Sequence, residues 1–100
     1  MTQFKKLDGT EEGGKFSLGQ LVATPGALGV LTHGDILAAL SRHVRGDWGD
    51  CCPDDAAENE FALGKHLRIF SVYHSADGTK FWVITEADRS VTTVLLPEEY

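Results

Sequence analysis

The segment Arg42-His43-Val44-Arg45-Gly46-Asp47-Trp48 gathers the side chains of acid–base and anion chemistry into seven positions. His is the residue whose ordinary pKa lies nearest neutrality, so His43 is a candidate general base, tuned by Asp47 or Asp50. Arg45 beside it could clamp an anion, because guanidinium matches phosphate geometry. A second polar group, Thr85, Glu86, Asp88, Arg89, Ser90 and Thr92, sits some forty residues on. Should the fold bring Arg89 to His43 and Arg45, the three would form a metal-independent RNA-cleaving centre, with His moving protons and Arg holding the phosphate. The same residues have a structural account. Arg and His favour a helix C-terminus because its carbonyls carry partial negative charge. Trp48 would then plug the helix against a sheet, Asp47 would cap a turn, and Arg89 would pair with Glu86 or Asp88.

A second constellation points to binding rather than catalysis. Asp47, Asp50, Asp54, Asp55, Glu58 and Glu60 surround Trp48. An exposed Trp among acids has the composition of a hot-spot anchor for a basic protein partner. His33, His43, Cys51, Cys52, His66 and His74 show no CxxC or HxxxH spacing, so neither a metal site nor any cofactor is expected. Adjacent Cys51 and Cys52 would form a strained ring, and they read as small, partly buried thiols.

These residues need elements to hold them. Residues 67–96 read as three runs rich in Val, Ile, Thr, Phe, Tyr and Trp, separated by short polar turns. That is an antiparallel meander, with Asp77-Gly78 as its hairpin turn. Apolar residues fall on both faces of the runs, so the preceding segment must supply cover. Residues 16–23 predict a further strand at a sheet edge, able to pair across a homodimer. Thr24-Pro25 opens a first helix, which His33-Gly34 should stop. Asp35 opens a second, with Ile36, Leu40 and Val44 as its stripe. Pro53-Asp54-Asp55 opens a third, burying Ala57, Phe61 and Ala62 and ending at Gly64. The expected fold is α+β: three short helices packed on an antiparallel sheet of three or four strands, in the order β-α-α-α-β-β-β. Trp82, Ile84, Val83, Phe70, Ile69, Val94, Leu40, Ile36, Leu28 and Phe61 would fill the core.

The chain has 100 residues, room for one core, here expected over residues 16–100 behind a polar, flexible segment of residues 1–15. At 42% hydrophobic and 24% charged it has the composition of a globular domain rather than a disordered one. A net charge of −6 opposes broad nucleic-acid binding, which the ribonuclease reading alone would need. The opening residues lack an apolar signal core, and no run is long enough to span a membrane. The expected setting is cytoplasmic, with no membrane contact.

Four segments, ATPGAL at 23–28, RHVRGDWGD at 42–50, WVITEADRS at 82–90 and TTVLLPEEY at 92–100, together resemble a family of small proteins carried by plasmids, phages and integrated elements. The resemblance implies accessory cargo of mobile DNA. The residues themselves do not read as a methyltransferase, since there is no glycine-rich strand-to-helix turn and no room for a Rossmann domain. With the acidic composition, the resemblance makes the leading expectation a small non-enzymatic interaction protein that modulates host machinery through an unidentified protein partner.

Overall fold

The computed structural model describes residues 14–100; residues 1–13, most of the segment expected to be flexible, lie outside it. Strand β1 (Gln20–Ala23) leads through helices α1 (Pro25–Val30), α2 (His33–Val44) and α3 (Pro53–Lys65) into β2 (Ile69–His74), β3 (Lys80–Thr85) and β4 (Val91–Leu95). A short 3-10 turn follows at Pro97–Glu99. The α+β class and the order β-α-α-α-β-β-β are as the sequence predicts. The sheet order is β1-β4-β3-β2. Strands β2, β3 and β4 form the antiparallel meander, but β1 runs parallel to β4, so the sheet is mixed rather than antiparallel. Hairpins dictate direction only between consecutive strands, and β1 reaches its neighbour by way of the helices and the whole meander. Two of its four residues, Leu21 and Ala23, are fully buried.

Alternation along the strands sends Ser71 and Tyr73, Phe81, Val83 and Thr85, and Thr92 and Val94 to one face, where all are buried. Helices α1 and α2 close this face with Ala27, Leu31, Ile36, Ala39, Leu40 and Val44, and Leu18 and Leu21 fill in beside them. The opposite face carries Phe70, Val72, Trp82, Ile84, Thr93 and Leu95. Part of its cover is the C-terminal tail, with Tyr100 edge-on to Trp82 at 5.6 Å. Glu99 ties this tail to α1: its carboxylate accepts from Thr24 Oγ1 (2.5 Å) and from the Gly26 (3.0 Å) and Leu96 (2.9 Å) N–H groups. The Ala23–Leu28 and Thr92–Tyr100 segments are thus held together.

Three helix details differ from the sequence reading. His33-Gly34 does not stop α1. Leu31 caps α1, and Thr32 opens α2 through a reciprocal capping box with Asp35, so His33 and Gly34 are the first turn of the next helix. The box satisfies two backbone N–H groups at the start of α2, which takes His33 and Gly34 into that helix's first turn. Helix α3 runs past Gly64 to Lys65, and His66 takes the left-handed cap at φ 53°. Its buried side is Asn59 and Ala62, while Phe61 is 60% exposed and Ala57 also faces out. The Asn59 amide donates to the Phe70 carbonyl (2.6 Å) and accepts from the Phe70 N–H (3.0 Å), so α3 turns its polar residue to the outer edge of β2. Two residues further on is about 200° round the helix, which carries Phe61 to the outside.

Candidate functional site

His43 lies in the last turn of α2, as expected, but it joins the buried stripe of Ile36, Leu40 and Val44 and is itself fully buried. Nδ1 lies 2.6 Å from Ser71 Oγ on β2, and Nε2 lies 2.9 Å from Thr85 Oγ1 on β3. Thr85 Oγ1 is 2.7 Å from Thr92 Oγ1 on β4, which donates to the Leu18 carbonyl at 2.7 Å. The proton count fixes every direction in this chain. Thr92 spends its hydrogen on Leu18, so it must accept from Thr85. Thr85 has then spent its own and must accept from His43. His43 is therefore the Nε2–H tautomer, and Ser71 donates to Nδ1. Burial, with a smaller push from the Arg89 charge, lowers its pKa from 6.5 to about 3, so the ring is neutral. Phe16 and Trp48 close over it, with ring centroids at 5.3 and 6.0 Å.

The carboxylates expected to tune His43 are elsewhere. Asp47 takes a fork from Arg42 (2.7 and 3.1 Å), which holds its pKa below the usual carboxylate value. It also caps the Gly49 N–H, as a turn-capping residue should. Asp50 lies 2.7 Å from His74 Nδ1. Arg45 is exposed and folds back on its own helix at Ser41. Arg89, at φ 61°, does not pair with Glu86 or Asp88. Its guanidinium donates to the carbonyls of Ala62 (2.9 Å), Leu67 (2.6 Å), Glu86 (3.2 Å) and Ala87 (3.1 Å), pinning the end of α3 to the β3–β4 turn. Glu86 instead holds Arg68 (3.1 Å), and Asp88 accepts from the Ser90 N–H (3.0 Å). Phe16 stands between His43 and the Arg89 guanidinium, which lies 5.7 Å from its ring centre. His43, Arg45 and Arg89 therefore share no open cleft.

Trp48 is 7% exposed, and its Nε1–H donates to Glu60 at 2.7 Å. It is a core residue and offers no surface anchor. The loop around it seals the outer edge of β2: the Val72 N–H donates to the Trp48 carbonyl (3.2 Å), and the Asp50 N–H to the Val72 carbonyl (2.7 Å). Cys51 Sγ donates to the Phe70 carbonyl, and burial raises its thiol pKa, while Cys52 is exposed.

Helix α3 is where open, unpaired chemistry gathers. Its outer side and Leu67 line a shallow hollow of about 550 Å³, formed by Asp54, Ala57, Glu58, Phe61 and Leu67. A second hollow of about 290 Å³ is lined by Asp55, Arg68, Phe70, Trp82, Ile84 and Tyr100; Asp55 and Arg68 are chain neighbours of Asp54 and Leu67 in the first. Three of the five exposed large hydrophobic residues among the described residues, Phe61, Leu67 and Tyr100, border these hollows. Asp54, Asp55 and Glu58 make no ion pair among the described residues, whereas Arg68 is held by Glu86 and by Tyr100 Oη (2.7 Å). The buried Trp82 Nε1–H has no acceptor among the described residues.

The sequence points to the acids and puts Tyr100 in a polar tail, but it reads Phe61 as part of a buried helix side and Leu67 as part of an apolar strand face, and both are surface residues. The available signal was Asn59, a polar residue in mid-helix that had to find a buried partner. Among the described residues no group of three or more His, Cys, Asp or Glu could hold a metal ion, and no helix is long and apolar enough to cross a membrane. Comparison with family models, curated proteins and solved structures finds no match to this chain.

Proposed function

We propose that this protein is a non-enzymatic docking module, and that the outer side of α3 with Leu67 binds a basic, amphipathic segment of a protein partner. The observation that carries this reading is the coincidence of Phe61 and Leu67, 60% and 49% exposed, with Asp54 and Glu58 around one hollow, while Asp55 lines the second; none of the three acids has an ion pair among the described residues. Contiguous exposed apolar surface rimmed by polar groups is the usual mark of an interaction site. The acids would set orientation and association rate, while Phe61, in place of Trp48, would be the anchor. The resemblance to proteins of mobile elements supports a partner within the host machinery, one with a basic surface that an acidic protein of net charge −6 could occupy.

The test is titration of the full chain with a synthetic Leu/Lys amphipathic helix, read by calorimetry at two salt concentrations. Affinity should fall at higher salt. Joint reversal of Asp54, Asp55 and Glu58 to Lys, or Phe61→Ala alone, should each cost about tenfold or more. Affinity unchanged by either set would sink the reading.

A further inference from the structure

We infer that the smaller hollow beside α3 is a socket for one cationic side chain, an arginine or lysine of the docked partner. This rests on the docking reading only for the origin of that side chain. Four of the six lining residues, Phe70, Trp82, Ile84 and Tyr100, are apolar or aromatic. The rings stand at steep angles, Phe70 to Trp82 at 78° and 4.9 Å, Tyr100 to Trp82 at 69° and 5.6 Å. Arginine and lysine have this double character themselves, an apolar stem with a charged head. Their heads are attracted to aromatic faces, and ring-walled pockets are a recurrent way of holding organic cations.

The polar rim selects the charge. Arg68 is the one cation of the lining, and Glu86 neutralises it at 3.1 Å while Tyr100 Oη takes a further N–H. Asp55 remains without an ion pair among the described residues, so the residual charge at the hollow is negative. The chain builds the same combination from its own residues elsewhere: the Arg42 guanidinium lies 4.9 Å over the Tyr73 ring and forks onto Asp47. The volume sets the size. At about 290 Å³ the hollow falls just below the roughly 300–1,000 Å³ of pockets for drug-sized ligands, which suits one long side chain.

The experiment is an NMR titration of the ¹⁵N-labelled full chain with N-acetyl-arginine amide, its neutral isostere N-acetyl-citrulline amide, and N-acetyl-phenylalanine amide. The Trp82 indole N–H is the reporter, and the enclosed Trp48 indole, fixed to Glu60, is the internal control. The arginine amide should shift the Trp82 signal saturably in the millimolar range and leave Trp48 still. The citrulline amide should bind about tenfold more weakly, and Asp55→Asn should bring arginine down to the citrulline level. Tyr100→Ala, at a residue 73% exposed, should weaken both. No saturable shift, equal binding of arginine and citrulline, preference for the phenylalanine amide, or indifference to Asp55→Asn would each overturn the socket. Free amino-acid amides need no partner helix. Loss of peptide docking with arginine-amide binding intact would therefore refute the docking face alone, and the converse would refute the socket alone.

Discussion

His43 is a neutral ring with a hydroxyl at each nitrogen, enclosed by Phe16 and Trp48. His43 links α2 to β2, β3, β4 and the segment before β1 through four hydrogen bonds running one way from Ser71 to the Leu18 carbonyl. His43→Ala removes a buried ring and leaves two buried hydroxyls short of partners. It should lower unfolding free energy by about 3 kcal/mol or more in chemical denaturation, and an unchanged midpoint would show that the network contributes nothing. The pH dependence has a definite sign. Above pH 6.5 the ring is neutral in both states. Between 6.5 and about 3 the unfolded chain takes a proton that the folded chain refuses, so stability falls as pH falls through that window. From pH 6.5 to 5 the loss should be on the order of 1–2 kcal/mol, above the range where Asp35, Asp47, Asp77, Asp88 and Glu99, all lowered from ordinary carboxylate values, add theirs. A flat stability curve across that interval would refute a buried neutral His43. The spacing carried a signal for this burial, since His43 follows Ile36 and Leu40 at helical intervals and Thr85 and Thr92 share strand parity with Val83 and Val94, but the charged neighbours Arg42 and Arg45 made His43 read as a helix-end group instead. What sequence could not supply was the register that sets a β2 serine and a β3 threonine at the two ring nitrogens.

Elements here are placed by backbone constraints as much as by apolar pattern. Gly49, at φ 70°, lies against β2, and a Cβ there would collide with the Val72 carbonyl oxygen and the Tyr73 ring. Gly78, at φ 90° in the β2–β3 turn, has nothing within 4 Å of the same position. The pair separates dihedral strain from packing. Gly78→Ala should cost about 1–2 kcal/mol. Gly49→Ala should cost on the order of 3 kcal/mol or more by prising the loop from the strand edge. Equal losses in thermal unfolding would mean the loop is not tightly seated. The same seating separates the thiols: Cys52 should react with maleimide well before Cys51, which is half-buried, donates to the Phe70 carbonyl and has its thiol pKa raised. Equal rates would contradict the sealed edge. The Asp77-Gly78 turn and the meander were legible because hairpin chemistry is local. The direction of β1 was not, since it depends on the path through the helices, and the α1–α2 boundary was masked by a glycine that looked like a stop.

At the scale of the whole molecule, a charge of −6 is a fact of composition, but its use depends on which side of α3 faces solvent. That choice was hidden in sequence, because Ala57, Phe61 and Ala62 read equally well as a buried stripe. It was settled by the demand of the Phe70 backbone for the Asn59 amide at the sheet edge. The consequence separates function from stability at a single residue. A core Phe truncated to a small residue costs about 3–5 kcal/mol. Phe61 is 60% exposed, and the Lys65 ammonium lies 5.8 Å from its ring centre. Phe61→Ser should therefore leave unfolding free energy within about 0.5 kcal/mol of the parent. The same variant should lose the basic amphipathic peptide. Stability kept with binding lost is the signature of a residue retained for contact. If Phe61→Ser unfolds the chain, α3 packs by that face and the docking surface does not exist; if it binds the peptide unchanged, the acids alone make the contact and the anchor is not Phe61.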